Sequence, residues 1–190
     1  IKCFIFYSKM SKRTNLNTLF PNTQQKKRRT CVNTGSANLQ VLFANIEETI
    51  LENIQDKHCQ NIAVLGPYFS NQKLLKVFSE KQSCSIVTTY DRYMKSKVRM
   101  DAFKKLTPFK DAAVRTLNKG SGRHKSIVHT KAIILMDYEK RPYKVLCGSF
   151  NFTNNAPNNI ENLTIFRDPI IAHNYLEEFN RVYAISKQFI

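Results

Sequence analysis

Tryptophan is missing from this 190-residue chain, as are a C-x-x-C pair, any acidic residue in the first 36 positions, and any apolar run of bilayer length. Each absence excludes something. Without tryptophan, thirteen Phe and eight Tyr are the large packing groups. The five cysteines (Cys3, Cys31, Cys59, Cys84 and Cys147) are odd in number and widely spaced. That argues against a disulfide scaffold and against a zinc ribbon, and predicts reduced thiols in an intracellular, cytoplasmic protein. A membrane span needs about 20 consecutive apolar residues. The opening Ile1 to Tyr7 is apolar but far too short, so no membrane partner is expected. Ile1 is not an initiator methionine, which leaves a longer parent chain with an upstream anchor or signal open.

What is present is positive charge. The formal net charge is +16, while 42% of residues are hydrophobic, enough to fill a core. Such a charge says nothing about fold but points to polyanions, either nucleic acid or an anionic membrane surface. Residues 1–36 hold eight Lys/Arg and no acid, and residues 91–125 hold eleven Lys/Arg against three Asp. The remainder carries eleven of each sign and cancels. Residues 1–36 read as a flexible basic arm and residues 37–190 as one domain. Within the arm, Lys26-Lys27-Arg28-Arg29 suits a nuclear address or a phosphate-contacting tail, with a plain solvated charge run equally good.

Apolar periodicity predicts strands at 40–43, 61–65, 84–89, 112–117, 126–137, 144–147 and 162–166. It predicts helices from Asn45 to about His58, after a Ser70 cap through Phe78, at 101–106, and from Pro169 to Tyr183. The alternation of strands and helices argues an α/β domain. The run 126–137 is nearly all apolar, as in a strand covered on both faces.

Three segments place polar groups where packing alone does not want them. His129-Thr130-Lys131 interrupts the apolar run, and residues two apart on a strand share a face. Gly148-Ser149-Phe150-Asn151-Phe152-Thr153 ends the next strand, and Asn159-Ile160-Glu161-Asn162 precedes the one after. If these strands neighbour one another, His129, Lys131, Ser149, Asn151 and Glu161 converge. Such a set suits phosphoryl transfer: an ammonium and an amide hold phosphate oxygens, and a neutral imidazole attacks phosphorus. A carboxylate fixes the tautomer, and a second imidazole protonates the leaving oxygen.

H-x-K, then G-S-x-N, then N-x-E-N resembles the signature of the phospholipase D superfamily, in its small bacterial-type nuclease branch. The likeness is sharp over 129–166 and looser over 39–185. It implies a mixed β-sheet flanked by helices on both faces, with one motif per chain. It also implies His129 as nucleophile, Lys131 and Asn151 as phosphate ligands, Ser149 as their assistant and Glu161 as the group that orients His129. Members generally need no metal or other cofactor, and no metal-ligand spacing occurs here. The family pattern has four residues between Lys and Asp, whereas five precede Asp137 here. One added residue reverses a strand side chain unless a bulge absorbs it. His58, His124 and His173 lack a Lys two residues on. Single-motif members are homodimers with the site on the twofold axis, and the same is expected here.

Other residues take blander readings. His58 ends its helix, His173 lies on a helix face, and Cys147 packs as a small apolar group. Phe150 and Phe152 suit base stacking, though core packing is favoured for at least one. The basic segment 91–125, interleaved with Tyr93, Phe103 and Phe109, is expected to form a phosphate-binding wall. Lys119, Arg123, His124 and Lys125 of that segment, with Asn159 of the third motif segment, are the candidate substrate contacts. The expected activity is metal-independent endonuclease cleavage of DNA or RNA. The rivals are hydrolysis of an anionic, cardiolipin-like phospholipid and a nucleic-acid-binding relative that does not cut.

Overall fold

Two apolar spacings, one of period two and one of period near four, account for the architecture. The structure, a computed structural model, describes residues 37–90, 94–117 and 127–190. The expected arm over 1–36 lies outside them. The elements are β1 (Leu39–Leu42), α1 (Ile46–Gln55), β2 (Asn61–Gly66), α2 (Gln72–Ser79), β3 (Ser83–Thr89), α3 (Lys97–Phe103) and β4 (Val114–Leu117). Then come β5 (Ala132–Met136), β6 (Pro142–Gly148), a 3-10 turn (Ala156–Asn158), β7 (Leu163–Phe166), α4 (Pro169–Ile185) and β8 (Lys187–Gln188). Among the described residues, eight strands form one sheet in the order β1-β7-β6-β5-β2-β3-β4-β8. The pairs β2–β3 and β3–β4 are parallel and every other pair is antiparallel, so the sheet is mixed, as expected.

Successive strand residues face opposite sides of a sheet. On one side, Ile62, Val64, Ile133 and Leu135 pack with Ile50 and Ile54 of α1, Leu74 and Phe78 of α2, and Phe103 of α3. On the other, Ala63, Leu65, Ala132, Ile134 and Met136 pack with Leu176, Phe179 and Tyr183 of α4. Strands β2 and β5 are buried along their whole length. This is why their sequences are continuous apolar runs rather than alternating ones, and why helices must cover both faces.

Several expectations are corrected. The long strand over 126–137 is only Ala132–Met136, because β2 pairs no further than Leu65 opposite Ala132 and β6 no further than Cys147. Residues 127–131 therefore run ahead of the strand without ladder partners on both sides. β6 starts at Pro142, two residues before the expected strand over 144–147. Asn71, not Ser70, caps α2, its side chain accepting from Leu74 N at 3.0 Å. Asn45 is left-handed (φ 53°) and caps nothing with its side chain. α3 starts at Lys97, earlier than expected, and β8 was not foreseen. His58 follows α1 and packs on Tyr143, with ring centroids 4.5 Å apart. His173 is an exposed helix-face residue with Nε2 3.4 Å from Glu177, as expected.

The extra residue before Asp137 is not absorbed by a bulge in β5. The register shift falls between Leu135, opposite Lys144, and Met136, opposite Pro142, so the unpaired residue is Tyr143 on β6. Asp137 itself ties the β5–β6 hairpin. It accepts from Arg141 Nε at 2.7 Å and from the backbone N–H of Glu139 and Arg141, each at 2.9 Å. Desolvation pushes its carboxyl up, but the hydrogen bonds from Arg141 outweigh this and hold it below its ordinary value. It sits at the far end of β5 from His129.

Helix α4 begins with Pro169 at its first turn and Asp168 as its cap, the carboxylate accepting from Ile170 N at 2.8 Å and Ile171 N at 3.2 Å. Both N–H groups lie in the first turn, where no carbonyl of the helix reaches them. Asp168→Ala is expected to destabilise the fold by about 1 kcal/mol. Thermal denaturation should then show the midpoint lower by roughly 2–4 °C.

Candidate active site

The start of β5, the end of β6 and the start of β7 meet at one end of the sheet: Ala132 pairs with Cys147, and Gly148 with Leu163. Ala132 also lies opposite Leu65, so this is the carboxyl end of the parallel strands β2 and β3. Open α/β sheets place their ligands at that end. An open cleft of about 640 Å³ lies there, lined by His129, Thr130, Lys131, Cys147, Gly148, Ser149, Asn151, Glu161, Asn162 and Tyr175. The five side chains singled out for chemistry are thus gathered in one place.

Local sequence explains the gathering. Phe150 and Phe152 are both 2% exposed, and Phe152 packs on Phe69 with ring centroids 5.0 Å apart. Anchoring these two rings inward turns the alternate residues, Ser149 and Asn151, to the cleft. Neither ring is left to stack on a base: the core, favoured for at least one of them, takes both. Ser70 N and Asn71 N donate to Phe152 O at 3.0 and 3.1 Å and fix the segment against the start of α2. Gly148 is needed for space, not for an unusual φ. A Cβ there meets Asn162 O at 2.2 Å.

The third segment is locked to the second. Ser149 Oγ donates to Glu161 Oε2 in a short hydrogen bond and accepts from Asn162 N at 3.0 Å. Ser149 N donates to Asn162 Oδ1 at 3.2 Å. Asn159 Nδ2 donates to the other carboxylate oxygen of Glu161 at 3.3 Å. Asn159 is exposed and reaches the cleft only through this carboxylate. Among the described residues, Glu161 is thus engaged by Ser149 and Asn159, and the His129 ring makes no hydrogen bond to it. The Asn151 side chain is likewise uncommitted among the described residues.

Lys131 Nζ donates to His129 O at 2.8 Å. Desolvation lowers the Lys131 pKa and the charge of Glu161 partly restores it. An ammonium that has shed part of its water binds an incoming oxyanion more strongly than a solvated one. Two cleft residues were missed by sequence reasoning. Tyr175 of α4 donates to Cys147 Sγ at 3.3 Å, and burial pushes its phenol up to about 12. Burial also raises the Cys147 thiol. A lone Tyr on a helix face carries no signal that separates cleft from core, and Cys147 was read as packing alone.

Lys119, Arg123, His124 and Lys125 lie outside the described residues, as does Tyr93. Within 94–117 no described residue lines the cleft. Phe103 is buried, and Arg115 is committed to Asp111 at 3.1 Å and to Ser186 O at 2.5 Å. Phe103 and Arg115 thus serve the fold.

Comparison with known proteins follows the same lines. The family profile described as "Cardiolipin synthase, PLD-like domain" matches residues 50–183. No curated protein sequence matches the chain. Among solved structures, NucT from Helicobacter pylori superposes with a TM-score of 0.64 at 16% identity, covering 80% of this chain and 98% of its own. A phospholipase D family member, Nuc from Salmonella typhimurium, gives 0.59 at 20% identity, covering 80% and 97%. Phosphatidylserine synthase from Haemophilus influenzae Rd KW20 gives 0.59 at 14% identity, covering 75% of this chain and 36% of its own. At such identities the likeness establishes the fold.

Proposed function

Since this chain belongs to the phospholipase D-like domain family, whose fold is a phosphodiesterase fold, we propose that it is a nuclease that cleaves DNA or RNA through a covalent phosphohistidine. The observation that carries the proposal is the convergence of His129, Lys131, Ser149, Asn151 and Glu161 on one open cleft. Lys131 and Asn151 hold the non-bridging oxygens of the phosphodiester, where negative charge grows. A nitrogen of the neutral His129 ring attacks phosphorus, forming an N–P bond as the bond to the leaving oxygen breaks. The leaving oxygen takes a proton from a second imidazole. Water then attacks phosphorus, gives its proton to that second ring, and frees His129. Ser149 and Asn159 fix the Glu161 carboxylate beside Lys131. No step requires a metal.

The described part of the cleft holds one imidazole, and the mechanism uses two. A homodimer with the cleft on its twofold axis supplies the other as the partner's His129. Exposed apolar residues flank the cleft segments: Ile127 is 49% exposed and Ile160, next to Glu161, is 96% exposed. Covering them in a dimer removes apolar surface from water. The +16 charge and the open cleft favour a polyanion. A cleft at a dimer axis suits a thin, flexible single strand better than a rigid duplex.

A second reading, hydrolysis of an anionic phospholipid, draws on the same exposed isoleucines. The chemistry is identical, so substrates decide. Purified protein in chelator is offered supercoiled plasmid, single-stranded and duplex oligonucleotides, and cardiolipin vesicles. The expected result is nucleic-acid cleavage, fastest on single strands, with vesicles untouched and a dimer in sedimentation. Lipid turnover without nicking selects the second reading. Nucleic-acid binding with no cleavage of any substrate assigns the protein to the non-catalytic relatives.

A further inference from the structure

His129 sits where ladder pairing has stopped, yet a nucleophile must be held within a fraction of an ångström. Among the described residues, no strand hydrogen-bonds residue 128. Instead, one side chain does. Thr89, the last residue of β3, accepts from Val128 N at 3.0 Å through Oγ1, and the same hydroxyl donates to Val128 O at 3.3 Å. A single hydroxyl thus satisfies both backbone groups of the residue immediately before His129.

The clamp is also dry. Thr89 is 8% exposed and Val128 5%. The Val128 side chain packs in the α4-side cluster with Ala63, Leu65 and Val87. Val87 and Thr89 are two apart on β3 and therefore face the same side. The segment is fixed at Val128 by Thr89 and at Lys131 by Gly148, whose N–H donates to Lys131 O at 3.3 Å. His129 and Thr130 are strung between these two points. Thr89 neither lines the cleft nor belongs to any of the three motif segments.

We propose that Thr89 is a positioning residue for the nucleophile: its hydroxyl stands in for the missing strand partner of Val128 and sets where the His129 imidazole enters the cleft. The proposal rests on His129 acting in the proposed reaction, but the clamp itself is observable without activity. Valine at position 89 keeps the shape and removes both hydrogen bonds, whereas serine keeps both. Misplacement of a reacting group by about 1 Å costs up to ~100-fold in rate.

The test pairs amide hydrogen exchange with kinetics on the intact chain. In the wild type, Val128 N–H is expected to be protected although it lies outside every strand. In Thr89→Val that protection is lost, kcat falls roughly 10–100-fold and KM stays within about twofold. Thr89→Ser restores both protection and kcat. An unprotected Val128 in the wild type overturns the clamp, even if Thr89→Val does not fold. Loss of protection with kcat within twofold of wild type overturns the positioning role. Protection present in a wild type that cleaves no phosphodiester contradicts the nuclease assignment and leaves the clamp standing.

Discussion

His129→Ala is expected to lower cleavage by about 10⁴-fold or more while leaving nucleic-acid binding within a few-fold of wild type. The asymmetry follows from what each group does in the proposed reaction. Removing the imidazole removes the atom that forms the bond to phosphorus and, in a symmetric dimer, the acid that protonates the leaving oxygen. Both copies are lost in one substitution. In that proposed reaction binding draws on Lys131, on Asn151 and on the dispersed positive charge, none of which the change touches. Plasmid nicking at saturating enzyme measures the first quantity, and fluorescence anisotropy of a labelled single strand the second. Equal losses of binding and cleavage point to a structural histidine. The ring is exposed and bonded to no described residue, so its removal is expected to leave stability unchanged.

Gly148→Ala is the second large effect, and it acts through the backbone. The added Cβ lies 2.2 Å from Asn162 O and 3.1 Å from Leu163 Cα, atoms that belong to the paired strand and not to a yielding side chain. Gly148 is bonded through its N–H to Lys131 O and is paired with Leu163, so it joins all three cleft segments. Forcing β6 and β7 apart there stretches the Ser149 N to Asn162 O bond of 3.2 Å and the side-chain bonds that hold Glu161. The expected cost is roughly 2–4 kcal/mol of stability. In a domain of this size that lowers the melting midpoint by about 5–15 °C. Cleavage should fall further than the folded fraction does, because the surviving molecules carry a displaced Ser149 and Glu161. Calorimetry and a nicking assay on the same preparation separate the two. A melting midpoint within 1–2 °C of wild type contradicts the close approach.

Much of this molecule was readable in its residues. Strands β2 and β5 are largely apolar runs, and such runs have few alternatives once helices of period near four lie between them. The cleft residues were legible for the opposite reason. A lysine two places from a histidine inside an apolar stretch is unwelcome in a core, so its presence pointed to a site. Local boundaries were less legible. His129 and Lys131 were placed inside a strand because Val128 and Ala132 to Met136 are apolar, yet the strand starts only where β2 and β6 offer partners. Pairing length is a property of neighbours distant in sequence, which composition does not record. The bulge at Tyr143 is of the same kind, since it is set by how the hairpin around Asp137 closes. Phe150 and Phe152 were open between base stacking and packing because an aromatic ring serves either. Phe69, some 80 residues earlier, decides for the core. Thr89 was invisible: a threonine at a strand end has no distinguishing feature until Val128 is brought against it.

The charge left a question that fold alone does not answer. Arg115, inside the basic segment, turns inward to Ser186 and Asp111 and lies over the Tyr183 ring at 4.6 Å. Its charge is therefore partly spent on joining β4 to the end of α4, and is not offered to a substrate. Counting Lys and Arg along a chain overestimates the surface field wherever such a residue is folded inward.

The decisive measurement is the chemical form of the intermediate. Protein is mixed with an end-labelled single-stranded oligonucleotide, quenched in base within the first turnover, and the attached label is located by peptide mapping. Label on the peptide bearing His129, surviving base and released by acid, is the predicted outcome. Steady cleavage with no trapped label, or label carried by a serine ester, contradicts attack by the imidazole.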